Sequence, residues 1–495
     1  MTGTDEPLNI IVVGASGDLA RKKVFPALFA LYCQGLLPRS WAVFGFARSA
    51  FSHQQFRDRI AERLSCRYAP GASCEEKTAE FLSRCFYCEG AYDAPDAFLN
   101  LYTLMREKEG GVATNRMFYL AVPPSVFLDV ATALGGAGLV QCGARAPWSR
   151  IVIEKPFGKD RASSDALTRQ LAEVFTEEQT YRIDHYLGKE LIQNLMVLRF
   201  ANLVFEPVWN NAYIERVNID WKEDIGVEGR GGYYDNYGII RDVVQNHLLQ
   251  ILALIAMERP VDTEPRHIRD EKVRVLRAIS PVALNDVLIG QYVAAPAGAA
   301  AHCAYVAEEG VPENSLTATY AALVLRVQNE RWAGVPFFVK AGKALDERIS
   351  SVRIRFKSLT GNIFCEDPNG GCLAPNELCL RIQPDEALSL SIVNKEPGLR
   401  ISLARSDLNL RYQTAFRGEI PDAYERLLLD VIHGDKSLFI RADELVAAWD
   451  IFTPVLHEIE KERIRPRPYP FGSQGPGVGS GAWRVGSGEW IVDSG

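Results

Sequence analysis

Leu8-Asn9-Ile10-Ile11-Val12-Val13-Gly14-Ala15-Ser16-Gly17-Asp18-Leu19-Ala20 is the stretch that decides the fold class of the first third of this chain. Leu8 to Val13 is an apolar run of the length of a buried parallel strand, and it stops at a glycine turn. Beyond the turn, Val24, Leu28, Leu31 and Tyr32 recur at helical spacing, with Pro26 tolerated in a first turn or at a kink. Strand, glycine turn and helix in that order let amides at a helix N-terminus approach a pyrophosphate, because Gly14 and Gly17 carry no side chain to block it. Gly14, Ala15, Ser16, Gly17, Asp18 and Leu19 are therefore the expected cofactor-binding turn. The spacing G-x-x-G-x-x-A is a variant of the dinucleotide fingerprint, and the flanking strand and helix are the context that fingerprint requires.

Outward from this turn, residues 41–47 read as a second strand, and Arg48 stands just past it. An NAD-preferring site usually offers a carboxylate there to the ribose 2′-hydroxyl; a guanidinium instead pairs a 2′-phosphate, so NADP is the expected cofactor. A solvated surface arginine is the competing reading. A helical stretch at 54–64 and strands at 117–122 and 151–153 follow, the last running into Glu154-Lys155-Pro156-Phe157-Gly158. Strands alternating with helices imply an α/β, Rossmann-like, doubly wound parallel sheet over residues 1–180. Ligands of such sheets sit at the carboxyl ends of the strands, where Lys155 is placed.

From residue 181 the pattern changes. Asp184, His185, Tyr186 and Lys189 put a carboxylate, an imidazole, a phenol and an ammonium within six residues. Leu191, Leu195 and Leu198 follow at helical spacing, so the polar groups are expected on the first turn of a buried helix. Lys189 near that N-terminus would attract an anion such as a phosphate; a polar turn with solvated charges is the alternative. Residues 213–223 alternate as a strand, 226–238 form a glycine- and tyrosine-rich connection, and 239–258 make a long helix carrying Asp242 and His247. Strands are expected at 316–327, 335–341, 352–356, 377–383 and 388–392, and helices at 422–433 and 442–462. Residues 181–495 thus read as a larger α+β domain with a broad, mainly antiparallel sheet. The Gly-, Pro- and Ser-rich tail after Pro466 is expected to be partly mobile.

A net charge of −7 and a pI near 5.7 supply no positive field for nucleic acid or an acidic membrane, so neither is an expected partner. No early stretch has the layout of a signal peptide, no apolar run would span a bilayer, and the terminus is not a peroxisomal address, so the expected location is cytoplasmic. Ten cysteines in 495 residues are no disulfide framework, and reduced thiols are expected. Cys85 and Cys88 form a single C-x-x-C without a second pair at zinc spacing, and no metal site is expected.

Arg182-Ile183-Asp184-His185-Tyr186-Leu187-Gly188-Lys189-Glu190 resembles the signature of the glucose-6-phosphate dehydrogenase family. So do Gly14 to Ala20, Ala47-Arg48-Ser49, Glu154 to Gly158, Gly229 to Tyr233, Gln245 to Gln250, Gly342 to Leu345, Arg381 to Pro384 and Pro421 to Leu427, in that family's order. The resemblance implies NADP-linked oxidation of glucose 6-phosphate by a homodimer or homotetramer. It also implies His247 as the base, Asp184 as its orienting carboxylate, and Lys155 between sugar and cofactor. His185, Tyr186 and Lys189 would take the phosphate, and Glu223, Asp242 and Gln383 the sugar hydroxyls, while Lys343 and Arg348 match further substrate-site positions. A histidine suits the chemistry, since a reference pKa of about 6.5 leaves it mostly neutral and able to hold the proton it removes.

Some members hold a second, structural NADP, for which Arg353 and Arg381 match two contacts. Ser389, Ser391 and Gln474 stand where that pattern has a tyrosine, a lysine and an arginine, which argues against a second NADP here. Phe127 replaces a tyrosine near the coenzyme. Two alternatives stay open from the residues: a Rossmann oxidoreductase for another phosphorylated sugar, and a non-catalytic sensor of NADP and sugar phosphate.

Overall fold

The computed structural model describes residues 6–68, 71, 73–141, 147–295, 302–364, 374–416 and 418–477, and the backbone of 483–485 and 488–490. Much of the tail expected to be mobile lies outside the described residues. The chain divides into two compact units: Met1–Glu190 with Val261–Arg269 and Glu419–Val446, and Leu191–Pro260 with Asp270–Gly418 and Ala447–Gly495.

In the first unit, β1 (Leu8–Val13), β2 (Trp41–Ala47), β3 (Cys85–Glu89), β4 (Asn115–Leu120), β5 (Ser149–Ile153) and β6 (Thr180–Ile183) form a parallel sheet in the order β6-β5-β4-β1-β2-β3. A short strand, Phe439–Ile440, pairs antiparallel with β6 at the edge. Every residue of β1 and β4 is buried, because helices cover both faces. Ile10 and Val12 pack on one side with Leu28, Phe29 and Leu31 of the helix Phe25–Cys33. Ile11 and Val13 pack on the other with Phe98, Leu101 and Met105 of the helix Pro95–Glu109. Pro26 stands where the π-helical segment Ala20–Val24 passes into the helix Phe25–Cys33; it has no amide to give the preceding turn, and the wider winding just before it is the local adjustment.

The helix Ala423–His433 belongs to this unit although it lies late in the chain. Tyr424, Leu427, Leu428, Val431 and Ile432 bury themselves against the β1 side of the sheet. Arg150 of β5 donates from Nη1 to the carbonyls of Val431, at 2.6 Å, and Ile432, at 2.9 Å, satisfying acceptors that the helix end leaves open. At its other end Asp422 accepts from the Tyr424 amide at 3.0 Å and pairs with Lys23 at 2.9 Å. One expectation fails here: Cys66 and Cys74 are disulfide-bonded, with Cα atoms 5.7 Å apart. The two cysteines are eight positions apart in the chain, a local closure that composition does not reveal.

The second unit is built on a nine-stranded sheet. Its strands are β7 (Ile214–Lys222), β8 (Val287–Val293), β9 (Tyr320–Arg326), β10 (Pro336–Gly342), β11 (Ile349–Phe356), β12 (Glu377–Gln383), β13 (Ala387–Lys395) and β14 (Leu403–Arg411), with the short Arg467–Pro470. They run β14-β13-β12-β11-β7-β10-β9-β8 with Arg467–Pro470 last. All joins are antiparallel except β7 with β10 and β8 with Arg467–Pro470. The sequence pattern missed β8 and β14. β14 is exposed along most of its length, so it lacks the alternation that a half-buried strand shows.

The long helix of this unit begins π-helical at Ile240–Leu248 and continues α-helical at Leu249–Ala256, where every residue is buried. A buried helix end strands its last carbonyls. Here Arg199 Nη1 donates to Leu254 at 2.8 Å, Trp209 Nε1 to Ile255 at 2.9 Å and Trp332 Nε1 to Ala256 at 2.9 Å. Among the described residues no helix is long and apolar enough to cross a membrane.

Trp332→Phe keeps an aromatic ring against the core and removes the indole donor together with part of the ring volume. It is expected to destabilise the protein by about 1–3 kcal/mol, the cost of an unsatisfied buried carbonyl. Urea denaturation checks this; a midpoint equal to that of the unaltered chain would show that the bond to Ala256 contributes nothing.

Candidate active site

The turn after β1 has the form a nucleotide site requires. Gly14 adopts φ +87°, and a Cβ there would lie 2.3 Å from the Ala121 carbonyl oxygen, so no other residue fits without displacing β4. The amides of Gly14 and Ala15 bond to the Phe46 carbonyl at 2.8 and 3.2 Å, which ties the turn to the end of β2. The helix that follows starts at Asp18 and Leu19, and Asp18 pairs with Lys22 at 2.8 Å. Ser16 Oγ and Ser49 Oγ are 3.2 Å apart, which brings the turn together with the segment that carries Arg48. Arg48 is exposed, lies 5.3 Å over the Tyr92 ring and has no carboxylate partner among the described residues. A guanidinium without a carboxylate partner, beside a turn tied to β2, fits a 2′-phosphate. β1 is flanked by β2 and β4, so the turn sits where the strand order reverses, the usual ligand crevice of such a sheet.

Lys155 lies two residues past Ile153, the last residue of β5, at the carboxyl end of the strand, half-buried, with a cis peptide to Pro156. Glu154, quoted in the motif but given no role by the sequence, is buried beside it. It accepts hydrogen bonds from the hydroxyls of Tyr119 and Tyr424. Burial pushes its pKa up to about 6, while the two tyrosines and Lys155 pull it back.

The polar stretch differs from expectation. Asp184 to Lys189 is a pair of tight turns, with Leu187 N bonded to Asp184 O at 3.0 Å and Lys189 N to Tyr186 O at 3.1 Å, and the helix begins only at Glu190. His185 and Lys189 therefore do not share a helical face. Turns bring the groups together instead: the His185 and Tyr186 rings are 5.2 Å apart, and Lys189 Nζ lies 5.0 Å over the Tyr186 ring. Asp184, only 1% exposed, accepts from the Tyr186 amide at 3.0 Å. Gly188 lies against the start of the helix Ala423–His433, where a Cβ would come within 2.6 Å of the Ala423 carbonyl oxygen. That contact fixes the turn.

In the second unit, sheet register gathers four expected residues. Glu223 follows β7 and Lys343 follows β10, its parallel neighbour, with Lys222 opposite Gly342. Arg348 precedes β11, whose first residue faces Lys222, and Gln383 ends β12 opposite Ser350. All four thus stand at one end of adjacent strands. Lys343 donates to Glu223 at 2.6 Å, both side chains largely buried, leaving a cation and acceptors in one place. Asp242 and His247 lie on the π-helical segment, and His247 is 2% exposed. On an α-helix residues five apart stand about 140° apart around the axis. The i to i+5 bonding of a π-helix instead brings them about one turn apart, drawing Asp242 and His247 toward one face. A separate cavity, lined by Ile240, Leu316, Ile459 and Arg463 among others, contains neither of them.

Comparison with known proteins gives a consistent picture. The family "Glucose-6-phosphate dehydrogenase, NAD binding domain" matches residues 11–194, and "Glucose-6-phosphate dehydrogenase, C-terminal domain" matches 196–490. The chain is 52% identical over 475 residues to the chloroplastic glucose-6-phosphate 1-dehydrogenase of Spinacia oleracea, covering 95% of this chain and 82% of that one. It is 49% identical over 484 residues to the Dictyostelium discoideum glucose-6-phosphate 1-dehydrogenase, covering 96% and 94%. A solved glucose-6-phosphate dehydrogenase in complex with its substrate glucose-6-phosphate superposes with a TM-score of 0.89 at 42% identity, covering 97% of both chains.

Arg48→Ala is expected to weaken NADP binding by about ten- to a hundred-fold, the value of a charge-assisted hydrogen bond, and to change NAD binding little. Titration with each nucleotide checks it, and parallel weakening of both would remove Arg48 from the phosphate.

Proposed function

The chain belongs to the glucose-6-phosphate dehydrogenase family, and from that premise we propose how its residues divide the work. It is an oxidoreductase that converts glucose 6-phosphate at C1 to 6-phospho-D-glucono-1,5-lactone and forms NADPH, the oxidative entry to the pentose phosphate pathway. The full-length likeness to an enzyme solved with glucose 6-phosphate carries this reading. The growth of reduced-nicotinamide absorbance with glucose 6-phosphate and NADP tests it.

We assign residues 1–180 to the coenzyme and 181–495 to the substrate and subunit contacts. The turn from Gly14 to Leu19 would hold the pyrophosphate and Arg48 the 2′-phosphate, as the geometry around Gly14 and the exposed guanidinium suit. When bound, NADP supplies the hydride acceptor. His247 takes the proton of the C1 hydroxyl, and Asp184 orients the imidazole and stabilises its protonated form. Lys155 lies between sugar and coenzyme. His185, Tyr186 and Lys189 bind the phosphate; Glu223, Asp242, Gln383, Lys343 and Arg348 bind the sugar.

A homodimer or homotetramer is the proposed assembly. β14 is an exposed sheet edge with Leu408 and Leu410 open to solvent, near the exposed Leu399, Ile401 and Phe416 in sequence, and such an edge calls for a partner. The cytoplasm is the proposed location. Among the described cysteines Cys33, Cys85, Cys88, Cys303 and Cys379 are free and one pair, Cys66–Cys74, is bonded, and relatives include both cytoplasmic and chloroplastic proteins.

His247→Asn is expected to lower kcat by about 10²–10⁴-fold and leave glucose 6-phosphate binding nearly unchanged, since the base acts in the transition state. Steady-state kinetics beside an equilibrium binding measurement separates the two, and near-normal turnover would exclude His247 as the base.

Phosphate recognition predicts a second result. Glucose should be a poor substrate, because the remote phosphate holds C1 in place. Lys189→Ala should cut kcat/KM for glucose 6-phosphate severely and that for glucose hardly at all. The ratio of the two efficiencies is the measurement; a ratio that Lys189→Ala leaves intact would show that the lysine does not read the phosphate.

A further inference from the structure

We propose that Glu154 is a positioning residue for the phosphate end of the substrate site, acting through Tyr424 on His185. The proposal rests on the reading of His185 as a phosphate ligand and names what holds that ligand in place.

Glu154 is buried just past β5, where an ionised carboxylate persists only with hydrogen-bond donors around it. Two hydroxyls supply them. Tyr119 comes from β4, the neighbouring strand, and Tyr424 from the first turn of the helix Ala423–His433. Both donors point at one acceptor, which a carboxylate accommodates with lone pairs to spare. An amide would have to turn one of its own donors toward a hydroxyl. A carboxylate is therefore the residue type that fixes both tyrosines in the same sense.

Tyr424 faces His185. The two rings are nearly parallel, at 12°, with centroids 6.2 Å apart, so the phenol forms a wall along the imidazole. Lys23 Nζ also lies 5.9 Å over the Tyr424 ring and pairs with Asp422, so cation and carboxylate brace the same side chain. The backbone holds the arrangement from the other direction, where Gly188 packs against Ala423. With its hydroxyl anchored on Glu154, the Tyr424 ring has one orientation, and His185 is confined beside it. Without the anchor the buried hydroxyl loses its acceptor and the wall beside His185 is held less firmly. Burial raises the Glu154 pKa, while the two hydroxyls and Lys155 favour the ionised form, the state that accepts from both tyrosines.

Glu154 is also bonded to Lys155, so a route through the backbone competes with the route through Tyr424. Kinetics with two sugars separates them, because Lys155 serves any sugar and His185 only a phosphorylated one. Glu154→Gln is expected to raise KM for glucose 6-phosphate about ten-fold with kcat within about two-fold, and to leave kcat/KM for glucose within about two-fold. On a His185→Ala background the same substitution should cost nothing further, since residues acting through one another are not additive. Tyr424→Phe, which removes only the hydroxyl, should reproduce the pattern and serves if Glu154→Gln does not fold. Equal losses on both sugars, or an undiminished ten-fold cost on the His185→Ala background, would overturn the proposal. The underlying reading fails differently: His185→Ala alone would then leave the preference for glucose 6-phosphate over glucose unchanged.

Discussion

The second unit is organised by one buried helix whose polar ends have nowhere to go but into the protein. Leu249–Ala256 has no exposed residue, so water cannot satisfy its last carbonyls. Arg199, Trp209 and Trp332 satisfy three in succession. Arg199 is itself deeply buried, and desolvation pulls its pKa down to about 9, with neighbouring Arg331 adding to that effect. Arg331 is held by Glu258 at 2.7 Å, and the Glu206 and Glu258 carboxylates act on Arg199 in the opposite sense. A helix fixed in this way at its C-terminus gives a rigid root to the segment before it, on which Asp242 and His247 stand.

That segment is π-helical, a geometry with poorer packing along the axis that natural proteins use sparingly and often at functional sites. Its consequence here is angular. Two residues five apart, one acid and one imidazole, come toward one face, which an α-helical winding would deny them. The same unit gathers Glu223, Lys343, Arg348 and Gln383 through strand register, a device with no counterpart in the spacing of those residues along the chain. Asp242, His247 and Gln383 stand on elements, and Glu223, Lys343 and Arg348 lie one residue beyond strand ends, so regular structure sets where they are.

In the first unit the corresponding constraint is the late helix Ala423–His433. Arg150 caps one end, Lys23 pairs with Asp422 at the other, and the helix lies against the turn that carries His185, Tyr186 and Lys189. Side chains presented on tight turns need such a brace, because tight turns have no ladder of their own to keep them still. Tyr424 joins that brace to the buried Glu154.

The sequence by itself determined the elements whose cause is local. The run before Gly14 had to be a buried strand, Gly14 had to be a residue without Cβ, and the spacing of Leu28 and Leu31 had to be helical. Arg48 and the Arg182 to Glu190 motif were legible because their chemistry is carried by side chains adjacent in the chain. Only the tertiary structure decided that Asp184 to Lys189 is turns rather than helix, because the brace from Ala423 comes from more than 200 residues away. It alone decided the winding around His247, since π and α bonding differ by one residue in a pattern that hydrophobic periodicity does not resolve. It alone joined Cys66 to Cys74 and gave Glu154 its tyrosines. Such pairings depend on which surfaces the folded chain presses together, and that is a property of packing across the sheet, not of any window of sequence.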